Sequence, residues 1–150
     1  MARASMQGAI VNAEDIKKLN HYFYDEVFRR QHVDALDELL TDDFVEHLPA
    51  PGQAADRQGA KTFITHMLQA FPDLDFEIQQ EIAEGDAIAV VGTMTGTHQG
   101  EFLGVPATGR PVRVSVMDTS RVRDGKFSDH WGMVDVPTLM AQVGMQPPTR

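Results

Sequence analysis

The feature that most constrains the fold is an alternation of apolar and polar residues in the second half of the chain. It runs through residues 76–82 and returns between Val112 and Val122. A period of two residues is typical of a β-strand with one buried face. The segments Glu84-Gly85-Asp86 and Asp124-Gly125 separate alternating runs and are typical of hairpin turns. The sequence therefore predicts a meander of four long antiparallel strands.

The first half of the chain has the period of helices instead. Apolar residues recur at helical spacing from Ile16 to Val27, from Val33 to Leu40 and from Phe63 to Phe71. The segment DDFVEHLPAPG, between the second and third helices, reads as a short strand broken by prolines. Asp135 is placed to cap a closing helix that ends at Gly144.

Helices segregated from an antiparallel sheet define an α+β fold. A sheet of this length must curl, so helices on its concave side would make a cone around an apolar pocket. We expect one domain over residues 13–147, preceded by a flexible N-terminal arm over residues 1–12.

Composition excludes several classes of function. The formal net charge of −9 speaks against nucleic-acid binding, which needs a basic face. The absence of cysteine excludes disulfides, thiolate nucleophiles and cysteine-bound zinc. No apolar run is long enough for a membrane span or a secretory signal. We therefore expect a cytoplasmic protein with no membrane partner.

Asp118 is the first candidate for chemistry, because it continues the face of Val112, Val114 and Val116. A carboxylate among aliphatic side chains suits a general acid or base, and Val116 would then line the pocket beside it. The alternative is a structural pair with an arginine such as Arg121.

The last strand carries the second group of candidates. Regular alternation places Phe127, Asp129 and Trp131 on one face and His130 on the other. The aromatic pair is expected to face the pocket, which makes Asp129 a candidate for proton transfer. His130 would then point toward a subunit interface unless a bulge turns it inward, although histidine is the natural titrating residue near neutral pH.

Three further residues are candidates for substrate binding. His47 follows Phe44 in the short strand, His98 lies in a Gly-rich loop, and Tyr24 could present its hydroxyl to a ligand. A metal site built from His47, His98 and His130 is the weaker alternative, because the sequence contains neither HxH nor HExxH. We expect no metal.

Four segments carry a resemblance to a known family: FPDLDFEIQQEIAEGDAIAV, GTHQGEFLGVPATGRPV, DTSRVRDGKFSDHW and PTLMAQVGMQP. Together they resemble the SnoaL-like polyketide cyclases of the NTF2-like superfamily, many of which are called ester cyclases, over about residues 14–147. The resemblance implies a cone-shaped α+β fold with a deep apolar pocket and a homodimer formed through the sheet.

The resemblance also implies an activity. The cyclases close a ring by intramolecular aldol condensation without metal or cofactor, using an aspartate on the last strands as acid and base. Asp129 is the closest match to that residue and Asp118 the second, whereas the family's histidine on the preceding strand has no counterpart between Val112 and Val122.

We therefore expect a cofactor-independent enzyme acting on a hydrophobic carbonyl or polyketide-like molecule. Asp129 would be the acid and base, with Asp118, His130 and His47 assisting it. An isomerase or dehydratase is the nearest alternative among enzymes. A non-catalytic module that binds a small molecule and a structural dimerisation domain are the alternatives from other classes.

Overall fold

The structure, a computed structural model, describes residues 12–145. The predicted arm, except for Asn12, and the last two residues of the predicted domain lie outside this range. The elements are α1 (Ala13–Phe23), continued by a π-helical turn (Tyr24–Arg29), a 3₁₀ turn (Val33–Ala35), α2 (Leu36–Leu39), β1 (Leu40–Glu46), α3 (Arg57–Ala70), β2 (Asp75–Glu84), β3 (Ala87–Thr97), β4 (Pro111–Arg123), β5 (Lys126–Val134) and α4 (Val136–Gln142).

The α+β prediction is confirmed. The five strands form one sheet in the order β1-β5-β4-β3-β2, in which β2 to β5 are an antiparallel meander and β1 pairs in parallel with β5. Tight turns join β2 to β3 and β4 to β5, and Gly85, Asp124 and Gly125 adopt the positive φ values that such turns require.

The helices cover the concave face of this sheet. On β4, Val112, Val114 and Val116 are buried while the residues between them are exposed, as the alternation predicts. Bulges interrupt the pairing of β2 with β3 and of β4 with β5, and such irregularities bend and twist a sheet. The curved sheet and the helices together form the cone of the NTF2-like fold.

The first helix differs from its prediction in one respect. The sequence predicted one continuous helix to about Arg30, whereas the last turn, from Tyr24 to Arg29, is π-helical. Tyr24, Val27 and Phe28 are buried in this turn and pack against the sheet. Among residues 12–145, no helix has the length and apolar character needed to cross a membrane.

Candidate active site

The helices and the concave face of the sheet enclose a cavity of about 440 Å³. That volume is in the range of small-molecule sites. Its wall is mainly apolar and rich in aromatic side chains, among them Phe23, Phe28, Phe44, Phe63, Phe76 and Phe127. The expectation of an apolar pocket inside the cone is therefore met.

Four polar side chains meet at the wall of this cavity. The Tyr24 hydroxyl donates to Asp118 Oδ2 at 3.0 Å. His130 lies between two carboxylates, with its Nδ1 2.5 Å from Glu46 Oε2 and its Nε2 3.4 Å from Asp118 Oδ1. The Glu46 side chain is only 8% exposed and that of Asp118 17%, while 31% of the His130 side chain stays accessible at the cavity wall.

The two carboxylates decide the charge of His130. Burial lowers the pKa of the imidazole, but its contacts with Asp118 and Glu46 outweigh that effect and raise the pKa to about 10. At neutral pH His130 is therefore an imidazolium whose Nδ1 donates to Glu46 and whose Nε2 forms an ion pair with Asp118, and it compensates the buried charge of its neighbours.

Tyr24 is held in its neutral form. Burial raises the pKa of its hydroxyl well above the ordinary value, and the adjacent Asp118 carboxylate raises it further. The phenol thus remains a donor to Asp118 throughout the physiological range.

A glycine makes room for the contact between Asp118 and His130. Gly132 pairs with Asp118 across β4 and β5. A Cβ atom there would lie 2.6 Å from His130 Cε1 and 2.8 Å from Asp118 Oδ1. A side chain at this position would therefore push the two groups out of their present positions.

The predicted faces of β5 are wrong beyond Phe127. Val122 pairs with Phe127 and Arg121 pairs with Asp129, so Ser128 is an extra residue at a bulge. Because this bulge shifts the alternation by one, His130 joins Phe127 at the cavity, whereas Asp129 and Trp131 are not among its lining residues.

Asp129 instead takes part in a separate cluster with residues that do not line the cavity. Its Oδ1 lies 2.8 Å from His47 Nε2, and its Oδ2 accepts from the Ser128 hydroxyl at 2.7 Å. His47 also stacks on Trp131, with ring centroids 4.1 Å apart. The contacts with His47 and Ser128 hold the pKa of the Asp129 carboxyl below its usual range.

The other sequence candidates divide between the cavity and its surroundings. Phe127, Val116 and Tyr24 line the cavity, whereas His47, Trp131 and His98 do not. His98 is buried against Phe71 and its Nδ1 lies 3.0 Å from the Thr108 hydroxyl, so it holds the loop after β3. The catalytic and binding roles of all these residues stay predictions, and the geometry favours Asp118 and His130 over Asp129.

Four polar cavity residues escaped the sequence reasoning: Glu46, Asn20, Ser120 and, in the loop between β1 and α3, Gln53. A signal for Glu46 was present, since it follows the buried Phe44 by two residues in the same short strand. Asn20 lies one helical turn before Tyr24, and Ser120 continues the face of Asp118 on β4. The periodicity of apolar residues marked neither Asn20 nor Ser120, because both residues are polar.

The three histidines of the weaker metal hypothesis do not come together. Within residues 12–145, no group of three or more His, Asp or Glu side chains is arranged to hold a metal ion. Asp118 nevertheless contacts both the His130 imidazolium and the Tyr24 phenol at an apolar wall, an arrangement suited to proton transfer.

The fold and the site together define a class: an NTF2-like α+β cone with acid and base groups inside an apolar cavity. A profile of the family described as SnoaL-like polyketide cyclase matches residues 18–143. The chain belongs to this family, as its resemblance predicted. A comparison with curated proteins gave no match.

Several solved structures are similar to the chain. IdmH from Streptomyces antibioticus, described as a candidate polyketide cyclase, is 34% identical with a TM-score of 0.74, covering 86% of this chain and 98% of its own. TsrD from Streptomyces laurentii is 25% identical with a TM-score of 0.81, and the match covers 90% of this chain and 98% of TsrD. AclR from Streptomyces galilaeus, described as a candidate hydroxylase, is 28% identical with a TM-score of 0.79, covering 91% and 100%.

Proposed function

We propose that the protein is a cyclase-type enzyme that moves protons on a hydrophobic carbonyl compound by means of its own side chains. The reaction is an intramolecular aldol cyclisation or a related proton transfer. The observation that carries this proposal is the contact between Asp118 and His130 at the wall of an apolar cavity. The family membership and the description of IdmH as a candidate polyketide cyclase support the reaction class.

Each polar residue has a role in this reaction. The Asp118 carboxylate accepts a proton from a carbon next to the carbonyl group, which leaves an enolate. The enolate carbon forms a bond to a second carbonyl carbon of the same molecule, and the resulting alkoxide takes a proton from the His130 imidazolium. Asp118 then passes its proton to His130 across their contact, which restores both groups.

The surroundings favour this sequence of steps. Tyr24 and His130 orient the two oxygens of Asp118, and Glu46 holds the other side of the imidazole ring. The apolar wall limits the water that would quench an enolate. An isomerase or a dehydratase would use the same groups, whereas a binding module would hold its ligand without proton transfer.

Deuterium exchange tests the proposal without knowledge of the natural substrate. 2-Tetralone, a two-ring ketone with activated C–H bonds, is incubated with the protein in D₂O and followed by NMR. We expect the protein to accelerate exchange, and we expect Asp118→Asn to lower the rate at least about 100-fold, as for loss of a general base.

The same substitution at Asp129 tests whether Asp118 or Asp129 is the acid and base. Asp129→Asn is expected to retain exchange, because this carboxylate does not line the cavity. Loss of exchange in Asp129→Asn with retention in Asp118→Asn would restore Asp129 as the acid and base. A wild-type protein that binds 2-tetralone without accelerating exchange would support the binding module.

We also infer that the protein forms a homodimer through the outer face of the sheet. Met117 and Met133 pair across β4 and β5, and they are 59% and 67% exposed in the single chain. Adjacent exposed methionines are typical of a surface that another protein covers. The expected cytoplasmic location and the ester-cyclase label stay predictions.

A further inference from the structure

We propose that Asn20 donates the hydrogen bond that holds the substrate's carbonyl oxygen and the enolate oxygen formed from it. This inference rests on the proposed function and adds the group that the proton transfer lacks. Abstraction of a proton next to a carbonyl moves negative charge onto the oxygen, which must be stabilised by a donor that is already in place.

Asn20 lines the cavity and carries an unpaired side-chain donor, which a rotation of its amide would present to a ligand. It lies on α1 one helical turn before Tyr24, lines the cavity and is only 6% exposed. Its Nδ2 is buried and has no hydrogen-bond partner among residues 12–145. Buried donors are nearly always paired in folded proteins, so a partner from outside the chain explains this one.

Two other donors of the cavity wall are engaged in the resting site. The Tyr24 hydroxyl donates to Asp118, and the two ring nitrogens of His130 face Glu46 and Asp118. Ser120 has a hydroxyl that can donate or accept, whereas an amide nitrogen can only donate. Gln53 also brings an amide to the cavity, but this residue is only partly buried, whereas the Nδ2 of Asn20 is buried and unpaired. Asn20 is therefore the donor best placed to select an oxygen acceptor.

The charge of the site also favours a neutral donor. Two carboxylates, Asp118 and Glu46, face one imidazolium, so the resting cluster carries excess negative charge. An enolate oxygen placed against these carboxylates would be repelled. A donor on α1 lets the oxygen lie on the helix side while the neighbouring carbon faces Asp118. The implied substrate is a hydrophobic ketone with an acidic C–H bond next to its carbonyl group.

The test compares 2-tetralone with tetralin, which has the same two rings and no carbonyl oxygen. In wild-type protein, the side-chain amide protons of Asn20 are followed by NMR during titration with each ligand. We expect 2-tetralone to shift these protons downfield and tetralin to leave them near their starting position. An equal response to both ligands, or no binding of 2-tetralone, overturns the inference.

Variants make the same comparison by affinity. Asn20→Leu, which keeps the approximate size and removes the donor, is expected to weaken 2-tetralone binding about five- to tenfold relative to tetralin, the range of one neutral hydrogen bond. Asn20→Ser retains a hydroxyl donor and should keep part of the preference if Asn20→Leu does not fold. Lys18→Leu, an exposed change on the same helix, is the control for added apolar surface.

The deuterium exchange separates this inference from the proposed function. If wild-type protein accelerates exchange but Asn20→Leu keeps the full preference for the ketone, the role of Asn20 is wrong and the proton transfer stands. If the preference is lost in Asn20→Leu while wild-type protein accelerates no exchange, Asn20 anchors a carbonyl group and the proton transfer is wrong. Both proposals are supported only if Asn20→Leu loses the preference for the ketone over tetralin and also exchanges about 100-fold more slowly than wild-type protein.

Discussion

Gly132 is the residue on which the spacing of the candidate site depends. We expect Gly132→Ala to separate His130 from Asp118, because the added methyl group would overlap both side chains. A displacement of about 1 Å at reacting groups can lower a rate about 100-fold, so we expect a loss of that order in 2-tetralone exchange. Thr119→Ala, next to Asp118 on the exposed face of β4, is the control. Unchanged exchange in Gly132→Ala would contradict the assigned pair.

His130 gives a prediction for pH. Because folding raises its pKa from the ordinary 6.5 to about 10, its charged form stabilises the fold fully below pH 6.5, as long as both partners remain carboxylates. That stabilisation is lost as the pH rises through about 10, and the shift sets its upper limit at about 5 kcal/mol.

The ring nitrogens of His130 report the protonation state of the imidazole directly. Their ¹⁵N chemical shifts should show a doubly protonated ring at pH 8, and urea unfolding should show a stability difference between wild type and His130→Gln that shrinks from pH 7 to 10.5. Deprotonation of the ring near pH 6.5 would mean that Glu46 and Asp118 do not hold it as the geometry indicates.

At the scale of the elements, the start of α3 fixes the loop that closes the cavity. Asp56 caps this helix by accepting from the Gly59 amide at 2.8 Å. A Cβ atom on Gly59 would lie 1.9 Å from the Ala54 carbonyl oxygen, so the loop between β1 and α3 packs directly on the helix backbone. Leu48, Pro51 and their neighbours in this loop line the cavity.

Gly59→Ala is therefore expected to displace the loop. We expect a loss of about 1–3 kcal/mol in the free energy of unfolding, the usual cost of overpacking, together with weaker binding of 2-tetralone. Urea unfolding and ligand titration measure the two effects. Gln58→Ala, an exposed change beside it, is the control. Wild-type stability and affinity in Gly59→Ala would show that the loop does not depend on this contact.

The strands show how far the sequence could predict the site. The period of β4 and the hairpin turns are local signals, and they placed Val116 and Asp118 correctly on the concave face. The bulge at Ser128 left no such signal, because a serine between Phe127 and Asp129 is equally compatible with regular pairing. One extra residue was enough to exchange the predicted faces of Asp129 and His130.

The partner of His130 could not be predicted for a different reason. Glu46 lies 84 positions earlier in the chain and reaches His130 only because β1 pairs in parallel with β5. The same pairing joins His47 to Asp129 through neighbouring residues of both strands. Contacts of this kind depend on the order of strands in the sheet, which local periodicity does not contain.

At the scale of the whole molecule, the exposed methionines on the outer face of the sheet predict a homodimer. We expect light scattering to give twice the 16.6 kDa of the chain. Met117→Lys is expected to shift the protein toward monomer, because a charge would replace an apolar side chain in the proposed interface. Tyr22→Lys, a change at a similarly exposed apolar residue on α1, is the control. A monomeric wild type would contradict the dimer.

The most direct test of the whole account is a crystal structure of the protein with 2-tetralone bound. We expect the ketone inside the cavity, with its acidic carbon against the Asp118 carboxylate and its oxygen within hydrogen-bond distance of Asn20 Nδ2. A ketone bound beside Asp129 and Trp131, or a cavity filled by the protein's own side chains, would contradict it.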